Sequence, residues 1–137
     1  SLILPIFEET QVDLLWKRLN SYFNNAEVKM TADKYFEICE QLGRTPKQED
    51  IPVDWNDLPN IAQEAVNCFN ILGDRIQGDV GYLGKDYTAL PVLAEQYDPE
   101  TKVLFIEILS WLDSRAIKKS AEKMKQEHDK LKRKNRG

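Results

Sequence analysis

Apolar positions recur at spacings of three and four along most of this chain, and that rhythm predicts helices. Between Thr10 and about Phe23, the residues Val12, Leu15, Trp16, Leu19, Tyr22 and Phe23 build one stripe. Thr10 is placed to cap the first turn, Asp13 favours its positive end, and Asn24-Asn25 offers a turn. A second helix is expected from Ala32 to Leu42, with Ala32, Tyr35, Phe36, Cys39 and Leu42 as its stripe. Thr31 is its expected N-cap, Met30 can staple onto Tyr35, and Gly43 suits a left-handed stop.

Residues 44–57 read as a connection. Pro46 and Pro52 oppose regular structure, while the alternation of Ile51, Val53 and Trp55 predicts an extended piece with those side chains inward. Asp57-Leu58-Pro59 opens a third helix, with Leu58, Ile61, Ala62, Ala65, Phe69 and Leu72 as its stripe and Gly73 as its stop. Glycines at 73, 78, 81 and 84, with Ile76, Val80 and Tyr82 alternating among them, permit a small β-hairpin near residues 76–84. A short helix from Ala89 to about Gln96 follows, with Pro91 in its first turn.

Asp98-Pro99 then starts a last helix that meets no further glycine or proline before about Lys134, a length of about 50 Å at 1.5 Å per residue. Its first half is apolar nearly all round: Val103, Leu104, Phe105, Ile106, Ile108, Leu109, Trp111 and Leu112. Such a helix expects neighbours on several sides. Its second half keeps a thin seam of Ile117, Ala121, Met124, His128 and Leu131, spaced four-three-four-three. That heptad rhythm predicts packing on a partner helix. The fold class is all-α, with four to five helices, a long C-terminal helix and room for one small hairpin.

Composition and charge sharpen this picture. The 137 residues suit a single domain, with about 68% of the unfolded surface buried. A hydrophobic share of 42% excludes disorder over the whole length. The longest apolar run, Val103–Ile106, is too short to span a membrane. The opening Ser1–Phe7 is too short for a signal h-region and has no basic residue before it. The net charge of −4 hides a split. Residues 1–114 carry nine Lys/Arg and twenty Asp/Glu, a net −11, whereas residues 115–137 carry ten and three, a net +7. The sequence therefore divides into an acidic helical body (1–114) and a basic extension of the C-terminal helix (115–137) within one domain. Such asymmetry often marks a docking surface, and it equally fits Lys and Glu that simply solvate an exposed helix.

Candidate chemistry is sparse. His128 is the only histidine, with no nucleophile near it in sequence, and two cysteines and one histidine are too few for a zinc site built from Cys and His. Cys39 and Cys68 sit on apolar stripes and read as small buried hydrophobes. Gly78–Asp86 invites a phosphate-loop reading, but Asp79 and Asp86 stand where that loop needs glycine and Ser/Thr. Asp54 and Asp57 flank Trp55, and Asp74 and Asp79 flank the glycine loop; paired acids could serve acid–base chemistry only if geometry brings them together, and capping and turn formation explain Asp57 and Asp98 more simply. No catalytic, cofactor-binding or metal-ligating residue is assigned, and the chain does not read as an enzyme. The basic set Arg115, Lys118, Lys119, Lys123, Lys125, Lys130, Lys132, Arg133, Lys134 and Arg136 could dock electrostatically. It could neutralise phosphates, weakly and without sequence preference, because no aromatic residue accompanies it. A seam lacking Trp and Phe argues against a membrane surface. The expected partner is a protein or a second copy.

The stretch Met30–Gly43 (MTADKYFEICEQLG) and the stretch Gly81–Tyr87 (GYLGKDY) resemble small proteins of T4-like, marine tailed phages, and the charged helical C-terminus is similar too. The resemblance covers about residues 30–130. It implies a phage structural or virion-assembly protein of tail or baseplate type, resident in host cytoplasm or virion, and brings no functional residues with it. Residues 1–29, with their own helix, depart from it.

Overall fold

The computed structural model describes residues 9–136, so the expectation for Ser1–Phe7 lies outside the described residues. The fold is all-α with one small hairpin. The elements are α1 (Glu9–Glu27), α2 (Ala32–Leu42), two 3-10 turns (Gln48–Asp50 and Trp55–Asp57), α3 (Asn60–Ile71), β1 (Asp74–Gln77), β2 (Gly81–Lys85), α4 (Leu90–Leu93) and α5 (Pro99–Arg136). The chain divides into two compact units between Gln63 and Glu64, within α3.

In the first unit, α1 buries Leu15 and Leu19 and half-buries Val12, Trp16, Tyr22 and Phe23, as its stripe requires. Thr10 lies inside this helix and is not its cap. Asn24-Asn25 does not turn the chain either. The helix runs on to Glu27 and closes through Met30 N–H donating to Asn25 O at 2.9 Å, with Lys29 at φ 55°. Asparagine can serve as the last turn of a helix when a later residue accepts the left-handed conformation. The ends of α2 fall as expected. Lys34 N–H donates to Thr31 Oγ1 at 3.2 Å, Gly43 takes φ 65°, and Arg44 N–H reaches Cys39 O at 2.8 Å.

The α2 stripe is another matter. Only Cys39 is buried, while Phe36 and Leu42 stay exposed. The connection is held by α1: Arg18 Nη1 donates to Asp57 O at 3.3 Å, and the Tyr22 and Trp55 rings lie 5.9 Å apart. Ile51, Val53 and Trp55 are half-buried and Pro52 is buried. Asp57 does not cap α3. Its carboxylate accepts from Asp54 N–H at 3.0 Å within the second 3-10 turn, and α3 begins three residues later.

In the second unit, Ala65, Val66, Cys68 and Leu72 of the α3 side are buried, as are Ala94 and the α5 residues Leu104, Phe105, Ile108, Leu109 and Leu112. The buried residues of α5 follow one broad stripe. Val103 and Ile106 are exposed at 57% and 41%, so the expected all-round enclosure is not realised. The helix α4 is one turn, shorter than expected, because residues 94–96 leave the helical path in turns. Asp98 caps α5: Thr101 N–H donates to Asp98 Oδ1 at 2.9 Å, and this bond, with the Thr101 hydroxyl, holds the carboxyl below its usual range. The hairpin pairs Asp74 with Lys85 and Gln77 with Gly81, antiparallel, with a bulge after Arg75. The bulge leaves Leu83 without a partner across the ladder and turns β2 toward α5. Ile76 and Val80 remain exposed, so only Tyr82 of the expected alternation faces inward.

Candidate partner-docking site

The helix α5 positions everything that distinguishes the second unit. An acid stands in its apolar stripe, at four-residue steps from Phe105 and Leu109: Asp113 is 7% exposed. A buried carboxylate must be fully hydrogen-bonded to persist. Here the Tyr82 hydroxyl donates to Oδ1 at 2.6 Å, the Lys85 N–H donates to Oδ2 at 3.1 Å, and the Tyr87 hydroxyl donates to the same Oδ2. Burial works against ionisation of Asp113, yet these donors and the Lys85 charge together hold its carboxyl below the ordinary range. Burial first, then the bond to Asp113, pushes both phenols well above theirs.

Lys85 is equally engaged. Its Nζ lies 2.7 Å from Asp74 Oδ1 and 3.2 Å from Leu72 O, and 4.5 Å from the centre of the Phe69 ring. Gly84 permits the close approach: at φ 118°, an added Cβ would stand 3.0 Å from Asp113 Oδ2. Every proton of this cluster is already committed to a partner. Its chemistry is that of a lock, holding the hairpin against α5. Among the described residues, no group of three or more His, Cys, Asp or Glu is arranged to hold a metal ion. Cys39 and Cys68 are free and buried, and burial pushes the Cys68 thiol up.

The signal for this cluster was available in the acid at a stripe position, but its partners sit 26 to 31 residues away, on the hairpin. In the sequence, Tyr82 falls in the alternation expected of the hairpin, Lys85 in the glycine-rich stretch Gly78–Asp86, and Tyr87 only in the stretch that carries the phage-protein resemblance. Gly81 and Gly84 do take positive φ, at 93° and 118°, whereas Gly78 does not. The paired acids separate: Asp54 and Asp57 share a turn, and Asp74 pairs with Lys85, not with Asp79.

The lock shapes a groove. Arg75, Leu83, Tyr87 and Leu90 face Ile106, Ser110, Asp113 and Ile117 across a hollow of about 470 Å³. Leu83, Ile106 and Ile117 are 37%, 41% and 39% exposed there, so they bring open apolar surface to walls shared with the polar Arg75, Ser110 and Asp113. Ile117 is also the first residue of the expected seam. Of the others, Ala121, His128 and Leu131 are exposed, Leu131 at 61%. Met124 is half-buried because the hairpin reaches it: an added Cβ on Gly81 would overlap its sulfur. Tyr82 N–H also reaches Ser120 Oγ, at 3.4 Å. The seam is thus partly covered by this chain itself.

Among the basic residues, Arg115 is half-buried with its guanidinium 5.8 Å from the centre of the Trp111 ring. Lys118, Lys119, Lys123, Lys125, Lys130, Lys132, Arg133 and Lys134 are exposed along the helix. No helix among the described residues is long and apolar enough to cross a membrane. Compared with protein-family models, curated proteins and solved structures, the chain gives no match.

Proposed function

We propose that this is an assembly protein that acts through protein–protein contacts, with the outer half of α5 as its docking element. The observation that carries the reading is that α5 continues for 38 residues, and from Lys125 onward every described residue is exposed. A helix kept intact at that length offers a partner a preformed apolar seam flanked by charge. The resemblance to small proteins of T4-like tailed phages supports a tail- or baseplate-type role in the virion or in its assembly. The test is recovery of the tagged protein from infected cells. A virion component should co-purify in constant ratio and be lost with Leu131→Asp, which leaves the buried residues untouched. Recovery of the same components by the variant overturns the reading.

The exposed lysines favour one second reading, a nucleic-acid-associated protein. In that case retention on DNA would be sequence-blind and would fall steeply between low and physiological salt.

A further inference from the structure

We infer that the α5 seam docks a second copy of this chain, antiparallel, so that the basic half of each α5 lies along the groove beside β2 of the other. The inference rests on the docking role proposed above and names its partner. Groove and seam share Ile117, so they form one continuous face of α5. That face runs Val103, Ile106, Ser110, Ile117, Ala121, Met124, His128, Leu131, and Val103 at one end and Leu131 at the other are 57% and 61% exposed. Its heptad steps are interrupted by one extra step of four at 117–121, a stutter that coiled-coil packing tolerates.

The face is also symmetric about its middle. Val103 and Leu131, Ile106 and His128, and Ser110 and Met124 are each equally distant from Ile117 in sequence, and Ala121 answers Asp113, the one buried position of the set, which the hairpin covers. Two antiparallel helices crossing at Ile117 set each of these residues opposite its counterpart, and Ile117 opposite itself. A two-fold interface requires such self-complementarity.

Charge selects the same direction. In the second unit, residues 64–114 carry three basic and nine acidic residues, a net −6, against +7 for residues 115–137. Parallel packing would lay two +7 segments side by side. Antiparallel packing keeps the two +7 segments apart and sets each beside the Pro99–Ala116 half of the other α5, which carries three acidic and two basic residues, so charge orients association while the apolar contacts hold it. Arg75 at the groove is already turned to its own hairpin, its Nη2 donating to Leu83 O at 3.2 Å. A nucleic acid would use the lysines but would leave the apolar run from Val103 to Leu131 without a partner.

Sedimentation equilibrium of the full chain tests this. The expected mass is twice 15.9 kDa. Ile117→Asp places two carboxylates face to face at the two-fold axis, and Leu131→Asp charges the far end. Each should weaken the dimer at least about tenfold, the cost of roughly 1.4 kcal/mol, with helicity unchanged by circular dichroism. Orientation is read by mixing Val103→Cys and Leu131→Cys copies under oxidation. The mixed disulfide should form, while Val103→Cys alone should not dimerise; Cys39 and Cys68 are buried and do not compete. A wild-type monomer at millimolar concentration, or efficient Val103→Cys homodimers, overturns the inference. If the chain is monomeric but Leu131→Asp still loses its virion partner, the second copy is the wrong occupant and the docking role stands. If neither changes, both fall.

Discussion

Asp113 concentrates the consequences that belong to single residues. Replacing it with alanine removes the acceptor for two phenols and one backbone N–H, and unpaired buried donors each carry a desolvation cost. The expected loss is about 3 kcal/mol in denaturant unfolding. Because its folded pKa lies below the unfolded value of about 3.9, its stabilisation is present above that value. It is lost as pH falls through the folded pKa. Asp113→Asn should therefore lower stability at neutral pH and flatten the acid limb of the pH–stability curve. The raised phenols act at the other end: their contribution is present below about pH 10 and disappears as pH rises through their folded values. An unchanged acid limb in Asp113→Asn would show that the carboxylate does not hold the hairpin. An acid on an apolar stripe was readable from spacing alone. Which donors answer it was not, because they reach it only after a hairpin folds back over α5.

The hairpin and α2 show how differently two glycines act within their elements. Gly43 ends α2 at φ 65° with nothing within 4 Å of an added Cβ. Gly43→Ala should cost only the left-handed backbone term, about 1 kcal/mol. Gly84 combines φ 118° with a Cβ that would press on Asp113 Oδ2, an atom held by two donors. Gly84→Ala should cost about 2–4 kcal/mol, since strain and displacement of the carboxylate add. Melting curves that rank the two in the opposite order would contradict this. Helix ends made by local chemistry were legible, as with Thr31, Gly43 and Asp98. The end of α1 was not, because the helix passes through Asn24-Asn25, which offer a turn, and Lys29, an uncommon residue for φ 55°, takes the left-handed position. Nor was the exposure of Phe36 and Leu42, since periodicity marks a face without saying whether anything covers it.

For the molecule as a whole, Met124 is the last residue of α5 that the hairpin reaches, and the helix beyond it is exposed. From Lys125 onward no described residue is buried, so a chain ending at Lys125 should unfold within about 0.5 kcal/mol of the full chain. The same truncation removes His128 and Leu131 and should abolish the dimer. A large drop in stability would show that the outer helix supports its own fold instead. DNA retention should weaken in parallel with the loss of five basic residues, Lys130, Lys132, Arg133, Lys134 and Arg136.

The order and type of the helices, the caps at Thr31 and Asp98, the seam from Ile117 to Leu131 and the charge split are properties of the sequence itself. They depend on spacings of three and four, on neighbours within one turn, and on counting. Tertiary structure decided which stripes are covered, that Asp113 is locked by Tyr82, Lys85 and Tyr87, and that Met124 is half taken up by the hairpin while Ile117 opens into a groove. These outcomes pair residues about 26 to 43 positions apart in the chain, and no local pattern encodes such a distance: only burial, with its demand that each enclosed polar group find a partner, selects them.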